Sequence, residues 1–143
     1  MNGLMILLAF VVAWALAQIT KLIATVITRN GVMTAREVVA VMMKSGGMPS
    51  GHAASFTAAT MTIGLNMGFD SPLFALAVCT AVIVIYDAVN VRWAVGEQGR
   101  VLNTYIQKSQ GKKLRVVEGH TVPQVIVGII LGLIVSYVIF SVF

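Results

Sequence analysis

Two histidines stand at the polar edges of apolar runs in this chain, and they are its only imidazoles. His52 lies in GGMPSGHAAS, residues 46–55, where Ser50 and Gly51 precede a run of small and apolar residues. His120 lies in EGHTVPQ, just before a second apolar run. A helix start presents free N–H groups and the positive end of the helix dipole, which together favour an anion. Two such starts facing one phosphate would need only cations to complete a cradle. One imidazole could then attack phosphorus and the other protonate the leaving oxygen. A hydrogen-bonded structural histidine at a membrane interface is the competing reading for each residue alone. Only Asp87 and Glu118 add further metal-ligand side chains nearby, which falls short of a usual metal set, so neither metal nor cofactor is expected.

The elements that must position these groups follow from composition. The chain has 143 residues, 58% of them hydrophobic and 10% charged, with a mean hydropathy of +0.91. Soluble domains carry about 25% charged residues. An all-α, polytopic membrane helix bundle is expected, one domain over residues 1–143. Four segments read as spans, each near the roughly 20 residues a bilayer requires. They run from Gly3 to about Thr28, Pro49 to about Gly68, Ser71 to Asn90 and Thr121 to Phe143. The first lacks a basic leader and a small-residue cleavage site, so it reads as a retained helix. The second is rich in Ala, Thr, Ser and Gly and should pack inside the bundle. Asn66 to Ser71 reads as a tight hairpin. Val91, Val95, Leu102 and Ile106 recur at helical spacing and predict an amphipathic interfacial helix anchored by Trp93 and Tyr105. KSQGKKLR after it reads as a flexible basic loop. Cys79, the one cysteine, sits in an apolar run and reads as a small core residue.

The net charge of +5 is concentrated in two links. Arg29, Arg36 and Lys44 face Glu37 in the first; six Lys and Arg face Glu97 and Glu118 in the second. The 66–71 hairpin carries only Asp70. Basic links remain cytoplasmic, so both termini should lie outside and the site should face the cytoplasm of a bacterial inner (plasma) membrane. No basic face with interleaved aromatics appears, which sets nucleic acid aside in favour of membrane lipids as partners. With this topology His52, His120, Ser50, Gly51, Asp87, Arg92 and Lys21 gather at one depth, with Gln18 and Thr25 on a face similar to that of Lys21. Ionisable groups at membrane depth are costly and point to function.

These residues also carry a resemblance. MPSGH, Met48 to His52, resembles the central motif of the type 2 phosphatidic acid phosphatase superfamily, which includes vanadium-dependent haloperoxidases. GGMPSGH, GFDSPLFALA, YDAVNVRWAVGEQGRVLN and EGHTVPQVIVG, with AWALAQITK near the N-terminus, resemble its small divergent branch. The resemblance implies that His120 is the phosphate-attacking nucleophile and His52 the acid for the leaving group. Ser50 and the Gly51 N–H would bind phosphate oxygens. Arg115 would stand for the last motif's arginine, five residues before His120 rather than six. Lys21 with Arg29 or Arg36 would replace a first motif that is not cleanly present. Arg92, which Asp87 could pair, would add a cation. The superfamily places an aspartate four residues after the nucleophile; here that residue is Gln124, and Glu118 or Asp87 could supply the charge instead. The superfamily typically has six spans and this chain four.

The expected function is hydrolysis of a lipid-linked phosphate or pyrophosphate through a phosphohistidine at His120. The competing reading is a catalytically weak or inactive protein of the same fold that binds anionic head groups or scaffolds a partner. A small channel has little support, because few intramembrane charges line any pathway. Gln124, Gly128, Gly132 and Ser136 form a four-residue-spaced stripe that fits either close packing within the chain or a homodimer.

Overall fold

The computed structural model describes residues 3–29, 33–43, 46–108, 112, 114, 116 and 119–143. Its elements are α1 (Gly3–Arg29), α2 (Ala35–Met43), α3 (Gly51–Met67), α4 (Pro72–Tyr86), a π-helical turn (Asp87–Val91), α5 (Arg92–Lys108) and α6 (Val122–Val142). The architecture is all-helical, with no strand among the described residues.

Three helices are long and apolar enough to cross a membrane: Gly3–Arg29, the continuous Pro72–Gln107, and Val122–Val142. Their outward faces carry Leu7, Val11, Ile19, Leu76, Val82, Ile83, Ile130 and Ile134, all exposed. Such faces would aggregate in water, but they match lipid chains. The expected second span is α3, and its 17 residues fall short of a full crossing by length. At 1.5 Å per residue it covers about 25 Å. It is instead the central helix, packed against α1, α4 and α6.

Small residues explain how three helices close on one. Ala9, Ala13 and Ala17 on α1, spaced by four, and Ala54 and Ala58 on α3 are fully buried in one core with Val135 and Ile139 of α6. On the α6 side, Gly128 and Gly132 lie over the α3 backbone. A Cβ on Gly128 would stand 2.6 Å from the Ser50 carbonyl oxygen, and one on Gly132 2.5 Å from that of Ala54. One turn further, the buried Ser136 and Thr62 hydroxyls hydrogen-bond at 3.0 Å. The stripe 124–128–132–136 is thus spent on packing within the chain.

Three details depart from the sequence reading. Cys79 is exposed, not a core residue. Only Ala81 of α4 is buried, so most of that helix faces outward and Cys79 with it. The amphipathic helix exists as α5, but it continues α4 through the π turn instead of starting afresh. The joined helix of 36 residues spans about 54 Å, well beyond a hydrocarbon core of about 30 Å, so α5 must leave that core. Trp93 and Tyr105 are exposed on it. Finally, the first polar link contains α2. Thr34 and Glu37 form a capping box: the Glu37 carboxylate accepts from the Thr34 N–H and hydroxyl, both at 2.9 Å. These bonds, with the Arg29 charge, hold the Glu37 carboxyl below its ordinary value. The Thr-x-x-Glu spacing was the available signal for this helix.

Of the expected flexible loop KSQGKKLR, residues 109–111, 113 and 115 lie outside the described residues, while Leu114 is held to α5. The Asn103 side chain donates to the Leu114 carbonyl at 3.0 Å and accepts from the Leu114 N–H at 2.7 Å. Val116 packs on Gly99, and Gly119 lies so close to the Arg92–Trp93 backbone that a Cβ there would be 2.3 Å from the Trp93 nitrogen. The chain therefore returns along α5 and delivers residue 120 to the π turn.

Candidate functional site

Each histidine is placed by its helix start. Ser50 adopts extended backbone and its Oγ accepts from the Ala53 N–H at 3.4 Å, which opens α3 and sets His52 in the first turn. The accepted bond leaves the Ser50 hydroxyl hydrogen free to donate. Thr121 caps α6 in a capping box with Gln124. The backbones of the two starts are joined directly, because the Ser50 N–H donates to the Gln124 carbonyl at 3.0 Å. The imidazoles consequently converge: their ring centroids are 6.2 Å apart, with the planes at 69°. Hydrogen bonds reach about 2.6–3.2 Å, so one anion beside the pair is within range of both rings.

The π turn fixes His120 from the other side. In an α-helix the Arg92 N–H would bond the Ala88 carbonyl; here it bonds the Asp87 carbonyl, five residues back. The Ala88 oxygen is thereby released, and it accepts the His120 N–H at 2.9 Å. The extra residue also brings the Arg92 Nε within 2.6 Å of the Asp87 Oδ2, with both side chains about 40% exposed. This ion pair is the one anticipated from sequence. Arg92, Asp87 and Lys21 all act electrostatically on His52. π turns recur at functional sites.

Gln124 fixes the state of His120. Its Oε1 accepts from the Thr121 N–H at 3.1 Å, and a backbone N–H can only donate, so the amide orientation is determined. The same oxygen lies 3.3 Å from the His120 Nδ1, which must then carry the proton. In the neutral ring the lone pair then falls on Nε2. His120 is 4% exposed and precedes α6. Burial pushes its pKa below the ordinary value, as do the Lys21 and His52 charges, against the hydrogen bonds with Gln124 and the Gly47 backbone.

Lys21 is buried, at 9% exposure, and acts electrostatically on both histidines. Among the described residues no carboxylate pairs with it. Gly47, at φ +85°, passes over its side chain: a Cβ there would be 3.3 Å from the Lys21 Cδ, so the turn has both a conformational and a steric reason to be glycine. A cavity of about 300 Å³ opens beside them, lined by Lys21, Thr25, Arg29, Val41, Gly46 and Gly47. Of the two arginines offered as partners for Lys21, Arg29 lines this cavity and pairs with Glu37 at 3.4 Å. Arg36 is exposed on α2 and is not part of that lining.

The structure thus brings His52, His120, Gln124, Ser50, Gly51, Lys21, Asp87 and Arg92 together. Arg115 and Glu118 lie outside the described residues. Among the described residues, no three His, Cys, Asp or Glu side chains gather to hold a metal ion. Sequence reading did not assign a role to Gln18, to Gly47 or to the Ala88 carbonyl. Only Gln18 left a signal, one turn before Lys21 on the same helix face.

Fold and site together define a polytopic helical membrane protein that presents paired histidines at two helix starts. The chain belongs to the divergent PAP2 family: the family model of that description matches residues 3–135. The uncharacterized membrane protein YuiD of Bacillus subtilis (strain 168) is 33% identical to it over 116 residues, covering 69% of this chain and 73% of that protein. No solved structure matches the chain.

Proposed function

We propose that this protein is a membrane phosphatase that hydrolyses a lipid-linked phosphate or pyrophosphate through a phosphohistidine intermediate. The observation that carries the reading is the convergence of His52 and His120, 6.2 Å apart, beside the buried Lys21. Among the described residues no carboxylate pairs with that ammonium, and a buried unpaired charge is costly unless an anion completes the site. The Nε2 lone pair of His120 attacks phosphorus and the P–O ester bond breaks. The leaving oxygen takes its proton from His52. Water, deprotonated by His52, then cleaves the N–P bond and restores both rings. Lys21 and Arg92 offset the charge on the phosphoryl oxygens, with the Ser50 hydroxyl as an uncharged donor. Purified protein assayed for phosphate release on a panel of lipid phosphates tests this directly. Hydrolysis that vanadate inhibits is the expected result, and release from none of them refutes the reading.

A second reading has one observation in its favour. The group that holds His120 is the neutral amide of Gln124, not a carboxylate, so the imidazolium gains no charge stabilisation there. On that reading the same pocket binds anionic head groups without turnover.

The site faces the cytoplasm of a bacterial inner membrane and both termini lie outside. Support comes from the basic 29–48 and 91–119 links against a hairpin that carries only Asp70. In a Cys79-free background, Asp70→Cys should react with an impermeant thiol reagent in intact cells, and Lys112→Cys should react only after lysis. Labelling of position 112 from outside would reverse the orientation.

A further inference from the structure

Gln18 is 8% exposed on α1, and its Oε1 is the one buried side-chain polar atom without a hydrogen-bond partner among the described residues. Its amide is at the site. The Nε2 would lie 4.0 Å from a Cβ on Gly51, the first residue of α3. Lys21 follows one turn later on the same buried face. A polar atom left unpaired at membrane depth is costly, because no bulk water is at hand to satisfy it. Helix packing offers no reason to keep it: the alanines 9, 13 and 17 already make the α1 contact, and an apolar side chain of equal length would fill the space.

The surrounding groups identify what is missing. Lys21, the α3 N-terminus and the Ser50 hydroxyl are all donors, suited to the oxygens of a phosphate. The Gln18 Oε1 is an acceptor and requires the ligand to supply an O–H. We propose that Gln18 is a ligand-binding residue of this site, its Oε1 accepting a hydrogen bond from an O–H on the bound phosphate ester. The proposal rests on the phosphatase reading for the phosphate itself, and adds that the site selects esters carrying a donor beside it. That donor is either an alcohol on the carbon next to the phosphate-bearing one or the P–OH of the monoanion.

The test is binding to the full chain in detergent micelles, measured by calorimetry without reference to turnover. The probes are 1-oleoyl lysophosphatidate, which has a free neighbouring hydroxyl, and its 2-deoxy analogue, which lacks it. An unpaired buried acceptor costs enough that the hydroxylated ester should bind about 10- to 100-fold tighter. Gln18→Met keeps the side-chain length and removes the acceptor; it should bind both esters alike. If the P–OH is the donor instead, the two esters bind wild type equally. Both then bind more tightly as pH falls through the second phosphate pKa, near about 6, and Gln18→Met loses that dependence. Wild-type protein with neither a hydroxyl preference nor a monoanion preference overturns the proposal without any variant, and assigns Gln18 to an internal water. Either preference persisting unchanged in Gln18→Met overturns it too. Preferential binding without hydrolysis would remove the phosphatase reading and leave Gln18 as a binding residue. Hydrolysis without either preference would do the reverse. No binding of either ester would overturn the proposal for Gln18 and leave the phosphatase reading to the wider panel of lipid phosphates.

Discussion

His120→Ala should abolish phosphate release, and Gln124→Glu should raise it about 10- to 100-fold. Loss of a covalent nucleophile removes the route itself, and such losses reach about 10⁶ in serine hydrolases. The gain has a narrower origin. In a hydrolytic triad, replacing the orienting aspartate by an amide costs about 10⁴, part of it through the wrong tautomer. Here the Thr121 N–H fixes the amide, so Gln124 already sets the tautomer of His120. Only the charge is absent. A hydrogen bond to a charged group is worth about 1.5–3 kcal/mol, or about one to two decades in rate. Glutamate at this third helical position also keeps the capping box with Thr121, whereas the shorter aspartate would loosen it. Gln124→Asp should therefore gain less.

The pH profile separates this account from a general change in stability. His120 must be neutral to attack. Burial lowers its pKa, so the neutral form persists into more acidic solution than for a free imidazole, whose pKa is about 6.5. The acid limb of kcat/KM should lie below that value in wild type and move up in Gln124→Glu, because the new carboxylate stabilises the imidazolium. Matched detergent-purified variants of equal thermal stability provide the measurement. A robust wild-type rate that Gln124→Glu leaves unchanged would mean that another carboxylate already supplies the charge, with Asp87 the described candidate. Phosphate release by no variant would leave the head-group-binding reading.

The parts of this molecule legible in the sequence are those that leave a periodic or chemical mark. Hydropathy located the three long apolar helices, Ser50 and the EGHTVPQ stretch located two helix starts, and the basic links placed both histidines at one end. The pairing of Asp87 with Arg92 could be offered as well. The π turn could not be read, because one extra residue within a helix does not break apolar periodicity and its consequence, a released Ala88 carbonyl, is a backbone event. For the same reason α4 and α5 looked like two helices: the change from lipid-facing to polar residues reads like an end, while the backbone continues. Cys79 was misplaced because an apolar residue in a membrane helix can face lipid as readily as a core. Hydropathy does not distinguish the two. The role of Gln124 was only half legible. Its spacing from His120 was visible, but its tie to Thr121 required the geometry of the cap.

The α3–α6 crossing links the fold to the chemistry, and Gly128 is where the link should break. Gly128→Ala should lower stability by about 1–3 kcal/mol, the usual cost of overpacking, and should lower phosphate release by far more than that loss of folded protein explains. The new Cβ would stand 2.6 Å from the Ser50 carbonyl oxygen and 3.0 Å from the Ala53 Cβ. The first of these is backbone, so no side chain can rotate away and the helices must separate. Ser50 is also the cap of α3 and the donor to the Gln124 carbonyl. Displacing it moves His52 relative to His120. A misplacement of about 1 Å can cost about 10²-fold in rate. Gly132→Ala makes an equally close approach, 2.5 Å from the Ala54 carbonyl oxygen, but one turn further from the site. It should match Gly128→Ala in lost thermal stability and retain more activity per folded molecule. Gly3→Ala, with nothing within 4 Å, is the neutral control. Equal specific activity in Gly128→Ala and Gly132→Ala would show that the crossing stabilises the bundle without setting the distance between the histidines.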